Sequence, residues 1–321
     1  MTKISFSDIA ELTITRAKSG RGWKYTNGDA ELIRDRDEID RLNAIALPPA
    51  YQDARFNPNP NGHILAIGVD ARGRRQYRYH LDFRARQDSA KFDGCAGFGK
   101  ALPKLRKQVE VDLAGKPLEQ DTVIAAVIRV LDATHARVGN EAYAKENKSF
   151  GITTLRNRHA TVTNSAMTLE YRGKSGIMKN VRLDDRSLLR VVRKVQDLRG
   201  QHLFQYKTED GGIRPVTSSE VNDYIRAAMD EDFTAKHFRT WGASVAALAA
   251  VRGGAGLKEM LAEVAEALGN TPAIARKSYI HPAIVEDAKE SRVPEVPKQR
   301  ALQYFSADER ALLDYLEAAA S

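Results

Sequence analysis

The hydrophobic period of this chain changes once, and the change falls between Phe83 and Asp88. From Trp23 to about Tyr79 the apolar residues alternate, clearly so in His63-Ile64-Leu65-Ala66-Ile67-Gly68-Val69 and in Gln76-Tyr77-Arg78-Tyr79. Turn formers divide these runs: Asn27-Gly28, the stretch Asn57 to Gly62, and Ala71-Arg72-Gly73. A period of two with such breaks predicts short antiparallel strands. From about Asp88 the spacing becomes helical, with Leu102, Leu105 and Val109, then Ile124, Val127, Ile128 and Leu131 at i, i+3, i+4 and i+7. Strand and helix periods bury different faces, so the two halves need separate cores. The predicted fold class is α+β: a small N-terminal antiparallel β-sheet domain over 1–86, then a larger, mainly α-helical domain over 87–321. The tail after Val293 receives no role. A length of 321 residues accommodates two such domains.

One β island interrupts the helical half. Met167, Leu169 and Tyr171 alternate with Thr168, Glu170 and Arg172 before Gly173-Lys174-Ser175-Gly176, which predicts a hairpin with a lysine at its tip. Helices are predicted to resume at Ser187, at the capping box Thr217-Ser218-Ser219-Glu220, and around Phe238 to Leu248, ending at Gly253-Gly254-Ala255-Gly256. A further helix runs to Leu268-Gly269. Thr271-Pro272 has the form that starts another, with Tyr279 about two turns into it, and Glu309 to Leu316 predicts a closing helix.

A formal charge of +8 favours an anionic partner, because a basic surface gains free energy by releasing counterions from a phosphate backbone. The charge is concentrated: Arg72, Arg74, Arg75, Arg78, Arg84 and Arg86 stand against the single acid Asp82, interleaved with Tyr77 and Tyr79. No stretch approaches the roughly 20 apolar residues of a membrane span, and the first twenty residues lack the apolar block of an export signal. Cys95 is the one cysteine, which excludes an internal disulfide. A cytoplasmic, nucleoid-associated protein that meets no membrane is therefore expected.

Several chemistries are disfavoured. Gly94-Cys95-Ala96-Gly97-Phe98-Gly99-Lys100 has the spacing of a nucleotide phosphate loop, but Ala101 follows where such a loop needs Ser or Thr, and no buried apolar strand precedes it. The seven histidines show no HExxH or paired spacing, and the carboxylates form no obvious short-range pair. What remains is a set of basic residues, each with an ordinary explanation. Arg137 ends an apolar helix and could offset its dipole. Lys174 could be a solvated turn residue, Arg239 a surface arginine, and Tyr279 a packing residue.

Their order changes the reading. Arg137, Lys174, Lys236 with Arg239, Leu268-Gly269-Asn270-Thr271-Pro272 and Tyr279 together resemble the type IB DNA topoisomerases, in particular the poxvirus-like branch found in bacteria. The resemblance covers nearly the whole chain. Further runs carry it: Leu47-Pro48-Pro49-Ala50-Tyr51, Asp70 to Tyr77, and Lys145-Glu146-Asn147 with Phe150 to Leu155.

The resemblance implies an enzyme that relaxes supercoiled double-stranded DNA through a transient 3′-phosphotyrosyl bond at Tyr279. Arg137 and Arg239 would clamp the non-bridging oxygens of the phosphate, and Lys174, assisted by Lys236, would protonate the departing 5′ oxygen. Asn270 stands where poxvirus and eukaryotic members generally carry histidine; it can donate a neutral hydrogen bond but supplies no positive charge. Exchange of one phosphodiester for another conserves bond energy, so no ATP, metal or other cofactor is implied. The two domains would close on the duplex as a clamp formed by a monomer, with Gln76, Tyr77 and Tyr79 facing the major groove and Arg74, Arg75 and Tyr143 as further DNA contacts. A site-specific tyrosine recombinase shares the Arg, Lys, Arg, Tyr order, but usually shows His-x-x-Arg where this chain has Lys236 before Arg239. A non-catalytic DNA-binding module would use the same basic residues only to hold phosphates.

Overall fold

A computed structural model describes residues 3–71 and 73–320, with side chains for all of these except 85–91 and 320. Arg72 and the Arg86 side chain of the basic run thus lie outside the described residues. The chain divides into two compact units, residues 1–91 and 92–321.

The first unit is built on a five-stranded antiparallel sheet. Its strands are β1 (Ile14–Ser19), β2 (Gly22–Thr26), β3 (Gln52–Phe56), β4 (Ile64–Val69) and β5 (Arg75–Tyr79), in the order β2-β1-β3-β4-β5. Between β2 and β3 lies helix α1 (Arg36–Ala44), whose N-cap Asp35 accepts from the Asp37 amide. Strand β1 and helix α1 are absent from the sequence expectations. Ile14, Tyr25, Leu42, Phe56 and Ala66 form the core on the face that α1 covers. On the edge strand β5 the exposed rings of Tyr77 and Tyr79 stack 5.9 Å apart, and Tyr79 in turn meets Phe83.

Helix α2 (Leu81–Leu113) starts before the expected boundary at 86/87. The sequence Gly94 to Lys100 lies inside it and is no loop. Gly97 and Gly99 are contact glycines, since a Cβ on Gly99 would stand 2.2 Å from the Trp241 ring and one on Gly97 3.3 Å from Phe233. The small residues let two aromatics approach the helix axis, which explains a glycine pattern that mimics a phosphate loop.

After α2 come α3 (Gln120–Thr134), α4 (Glu141–Asn147), strands β6 (Ala160–Val162), β7 (Met167–Arg172) and β8 (Met178–Leu183), and α5 (Arg186–Gln196). The expected hairpin is β7–β8, with β6 added to make a three-stranded sheet. A second hairpin, β9 (Gln205–Lys207) with β10 (Ile213–Pro215), is too short to have signalled itself by alternation. Then follow α6 (Ser218–Met229), α7 (Ala235–Arg252), α8 (Leu257–Leu268), α9 (Pro272–Ser278), α10 (Pro282–Lys289) and α11 (Ala307–Ala320). The capping box at α6 is present as expected: Thr217 caps the Glu220 amide while the Glu220 carboxylate accepts from the Thr217 amide at 2.7 Å.

One continuous core joins α2, α3, α5, α7 and α8, with α3 buried nearly all round. The tail after Val293 belongs to that core. Phe305, Leu312 and Leu316 are buried, and the Phe305 ring stacks on Trp241 of α7. Arg106 ties the tail down: it donates to Asp132 at 2.8 Å, to Glu309 at 2.7 Å and to the Tyr304 carbonyl at 2.8 Å, while Trp241 Nε1 donates to Glu309 at 3.1 Å. Among the described residues no helix is long and apolar enough to cross a membrane.

Candidate active site

The second unit brings Arg137, Arg239, Asn270 and Tyr279 together although they are spread over more than 140 positions of sequence. Each is delivered by a distinct local device.

Arg137 is not the terminal arginine of α3, as the sequence suggested. The helix stops at Thr134, and His135 caps it in the left-handed conformation at φ 49°. Arg137 follows in an extended segment that runs against residues 151–153: the Ile152 amide donates to its carbonyl at 3.0 Å, and the Thr153 amide to that of Val138 at 2.7 Å. Gly139 and Gly151 allow this approach, for a Cβ on Gly151 would lie 2.5 Å from the Gly139 Cα. The backbone of Arg137 is thereby fixed, and its guanidinium donates to Asn270 Oδ1 at 2.9 Å.

Arg239 sits one turn into α7 and is 3% exposed. Its guanidinium donates to the His135 carbonyl and, at 3.4 Å, to that of Leu268, so it joins the ends of α3 and α8. Gly242 leaves room for the His135 ring, which a Cβ there would meet at 2.4 Å. No carboxylate pairs with Arg239 among the described residues. Burial lowers the guanidinium pKa, opposed by the neighbouring Tyr279 phenol. Its Nε is buried without a hydrogen-bond partner, as is Nδ2 of Asn270.

Tyr279 differs from expectation in its setting. It does not continue a helix but caps α9 with a non-helical backbone, φ −136° and ψ −35°. Ser244 of α7 holds this turn, because its hydroxyl accepts from the His281 amide at 3.0 Å and lies 3.4 Å from the Tyr279 carbonyl. The half-buried ring faces Arg239, whose guanidinium carbon is 4.6 Å from the ring centroid. Burial acts to raise the phenol pKa, but the charges and hydrogen bonds of Arg239 and then Arg137 outweigh it, and the net shift is downward.

Beside these residues is a cleft lined by Arg137, Tyr171, Lys174, Lys179, Arg239 and Gly269 among others. Lys174 is exposed in the β7–β8 turn, as the sequence predicted, where Ser175 takes φ 63°. Lys236 is exposed on the first turn of α7 and is not among the lining residues. Lys179 is, and sequence reasoning missed it. The signal was available, since Lys179 occupies an inward position of a strand whose other inward residues, Val181 and Leu183, are apolar.

The expected DNA contacts of the first unit do not share a face. Alternation along β5 puts Gln76 opposite in sense to Tyr77 and Tyr79, and its amide donates to Asp70 at 2.9 Å. Arg74 is bonded to the same carboxylate. Arg75 is exposed, and Tyr143, in the second unit, is half-buried on α4.

Residues 80–292 match the family described as eukaryotic DNA topoisomerase I, catalytic core, and residues 22–70 match bacterial DNA topoisomerase IB, N-terminal domain. The DNA topoisomerase 1B of Acanthamoeba polyphaga mimivirus is 32% identical over 284 residues, covering 83% of this chain and 84% of that protein. The chain belongs to the type IB DNA topoisomerases. The DNA topoisomerase 1 of rabbit fibroma virus is similar at 24% identity over 70% of the chain. The solved XerH site-specific recombinase bound to difH aligns over 59% of the chain with a TM-score of 0.37 at 18% identity, too remote to bear on activity. As a member of this family the protein is an isomerase whose partner is DNA. The stretch beyond the matched core, after residue 292, is the tail that braces α7 through Trp241 and Glu309.

Proposed function

We propose that this topoisomerase relaxes duplex DNA by cutting one strand with Tyr279 and resealing it, as a monomer and without ATP or metal. The observation that carries the reading is a phenol set against two guanidiniums, one of them buried with no acidic ion-pair partner among the described residues. Such a constellation is electrostatically incomplete until an anion arrives. A phosphodiester completes it, and the charge that accumulates on its non-bridging oxygens during attack is what fixed guanidinium forks stabilise most.

In the proposed cycle the Tyr279 oxygen attacks phosphorus as its proton is lost to solvent, the bond to the 5′ oxygen breaks, and the 5′ oxygen takes a proton from Lys174. Lys236, near the same end of α7, is available as a second cation. Asn270 contributes through its unpaired Nδ2, because its Oδ1 is occupied by Arg137 and only the donor side remains for a phosphate oxygen. The open strand turns about the intact one, and the reverse transesterification restores it. Tyr77, Tyr79 and Arg75 are proposed to meet DNA directly, whereas Arg74 and Gln76 must first release Asp70. Tyr143 is a further proposed contact from α4. The net charge of +8 supports duplex binding, and a cytoplasmic, nucleoid-associated location rests on that charge together with the single cysteine.

Supercoiled plasmid tests the cycle. Substoichiometric protein in EDTA, without nucleotide, is expected to relax supercoils of either sign. Relaxation appearing only with Mg²⁺ and ATP would contradict the proposal.

A further inference from the structure

We propose that Lys179 is a catalytic residue of this cleft, a third cation whose ammonium donates a hydrogen bond to a non-bridging oxygen of the scissile phosphate. The inference rests on the proposed cleavage by Tyr279 and adds a residue to it.

Strand pairing makes the case first. Tyr171 of β7 lies directly opposite Lys179 of β8, and Leu169 directly opposite Val181. Opposed residues project to the same face, so Lys179 stands in a row with Tyr171, Leu169 and Val181. Leu169 and Tyr171 are buried and Val181 packs on them, so an apolar residue is what this row asks for. Placing a lysine there costs desolvation that an apolar side chain would avoid. Among the described residues no carboxylate forms an ion pair with it.

Its path also points away from a solvated role. A lysine in such a row ordinarily extends its stem over apolar surface and delivers the ammonium to water. Here the ammonium end rests on the backbone of Gly269: a Cβ at that glycine would come within 2.2 Å of both Nζ and Cε. Gly269 caps α8 at φ 62°, so the position favours glycine for its backbone and again for this contact. Residue 269 immediately precedes Asn270, and the Leu268 carbonyl before it binds Arg239. The lysine head is thus held at the junction where both arginines are anchored, in the same cleft. Burial, and then the charges of Arg239 and Arg137, lower its pKa, the response of a cation confined beside two others. Three cations converging with no carboxylate paired to Lys179 or Arg239 among the described residues make a site for a multiply coordinated oxyanion.

Lys174, exposed at the turn, and Lys179, held inside, are assigned different work. Lys174 passes a proton to the leaving 5′ oxygen. Lys179 offsets charge on phosphorus-bound oxygens, in cleavage and in resealing alike.

Single-turnover cleavage and religation on two suicide substrates separate these roles, one with the ordinary 5′ bridging oxygen and one with sulfur in its place. A thiolate leaves without being protonated. Lys179→Met, which suits the apolar row and should fold, is expected to slow both steps by about a hundredfold on either substrate. Lys174→Met is expected to be slow on the oxygen substrate and restored by sulfur. Thermal melting and duplex binding of Lys179→Met, expected near wild type, separate lost chemistry from lost folding. Restoration of Lys179→Met by sulfur, or rates within threefold of wild type on the order of assay error, would overturn the assignment. Should the wild-type protein capture no DNA on Tyr279, the proposed function itself fails, which is a different outcome from a normal wild type and an unaffected Lys179→Met.

Discussion

Arg239 offers the sharpest separation of folding from function. It is 3% exposed and bonded to two backbone carbonyls, and among the described residues its Nε has no hydrogen-bond partner and no acid forms an ion pair with it. A buried ion costs several kcal/mol of desolvation even after relaxation. Replacing it with methionine, of similar length, removes that cost but leaves the His135 and Leu268 carbonyls short of a donor, at about 1–3 kcal/mol each. These contributions nearly cancel. The net change in stability should therefore lie within about 2 kcal/mol of zero, a melting shift of less than roughly 8 °C for a unit of this size. Transition-state stabilisation has no such compensation. Loss of a donor set against a developing oxyanion costs on the order of 10²–10³ in rate, and a charged fork belongs at the upper end. Differential scanning calorimetry and single-turnover cleavage of a labelled duplex measure the two quantities. A melting temperature lowered by more than about 10 °C, or a cleavage rate within tenfold of wild type, would refute the reasoning.

Because Arg239 and Arg137 depress the Tyr279 phenol against the opposing effect of burial, the cleavage rate should rise with pH and level off below the ordinary tyrosine value near 10; in Arg239→Met the inflection should move upward, and an unmoved pH profile would deny the coupling. Glu309→Gln strips one carboxylate from the Arg106 network that fastens the tail, and stability should fall by about 3 kcal/mol as read by urea unfolding. Burial raises the Glu309 pKa but Arg106 more than offsets it, so this contribution is present above the usual carboxylate range and lost as pH falls through the lower folded value; the difference between wild type and Glu309→Gln should accordingly shrink in acid. Gly99→Ala forces a methyl to 2.2 Å from the Trp241 ring, and a melting scan should show a loss of about 1–3 kcal/mol.

The change of period near Phe83 was legible because it is an average over many residues, and the β7–β8 hairpin and the α6 capping box were legible because their chemistry is local. Helix α1 was not, since its nine residues are mostly polar and bury only Leu42. Arg137 and Tyr279 come together in the structure, but their local settings differ from those that spacing along the chain predicts. The extended run at Arg137 and the broken helix end at Tyr279 are held by partners distant in sequence, Ile152 for the first and Ser244 for the second. Spacing along the chain does not report such contacts. Lys179 alternates in step with Val181 and Leu183, a signal present in the sequence, but a lysine in such a row ordinarily delivers its head to water, and only the contact with Gly269 shows otherwise.

Direct mapping of the covalent bond tests the central claim. DNA trapped by denaturant during the reaction, digested with protease and sequenced by mass spectrometry, should carry the peptide containing Tyr279 on a 3′ phosphate, and Tyr279→Phe should yield no adduct while still binding duplex. An adduct on another residue, a 5′ linkage, or capture undiminished in Tyr279→Phe would contradict the account.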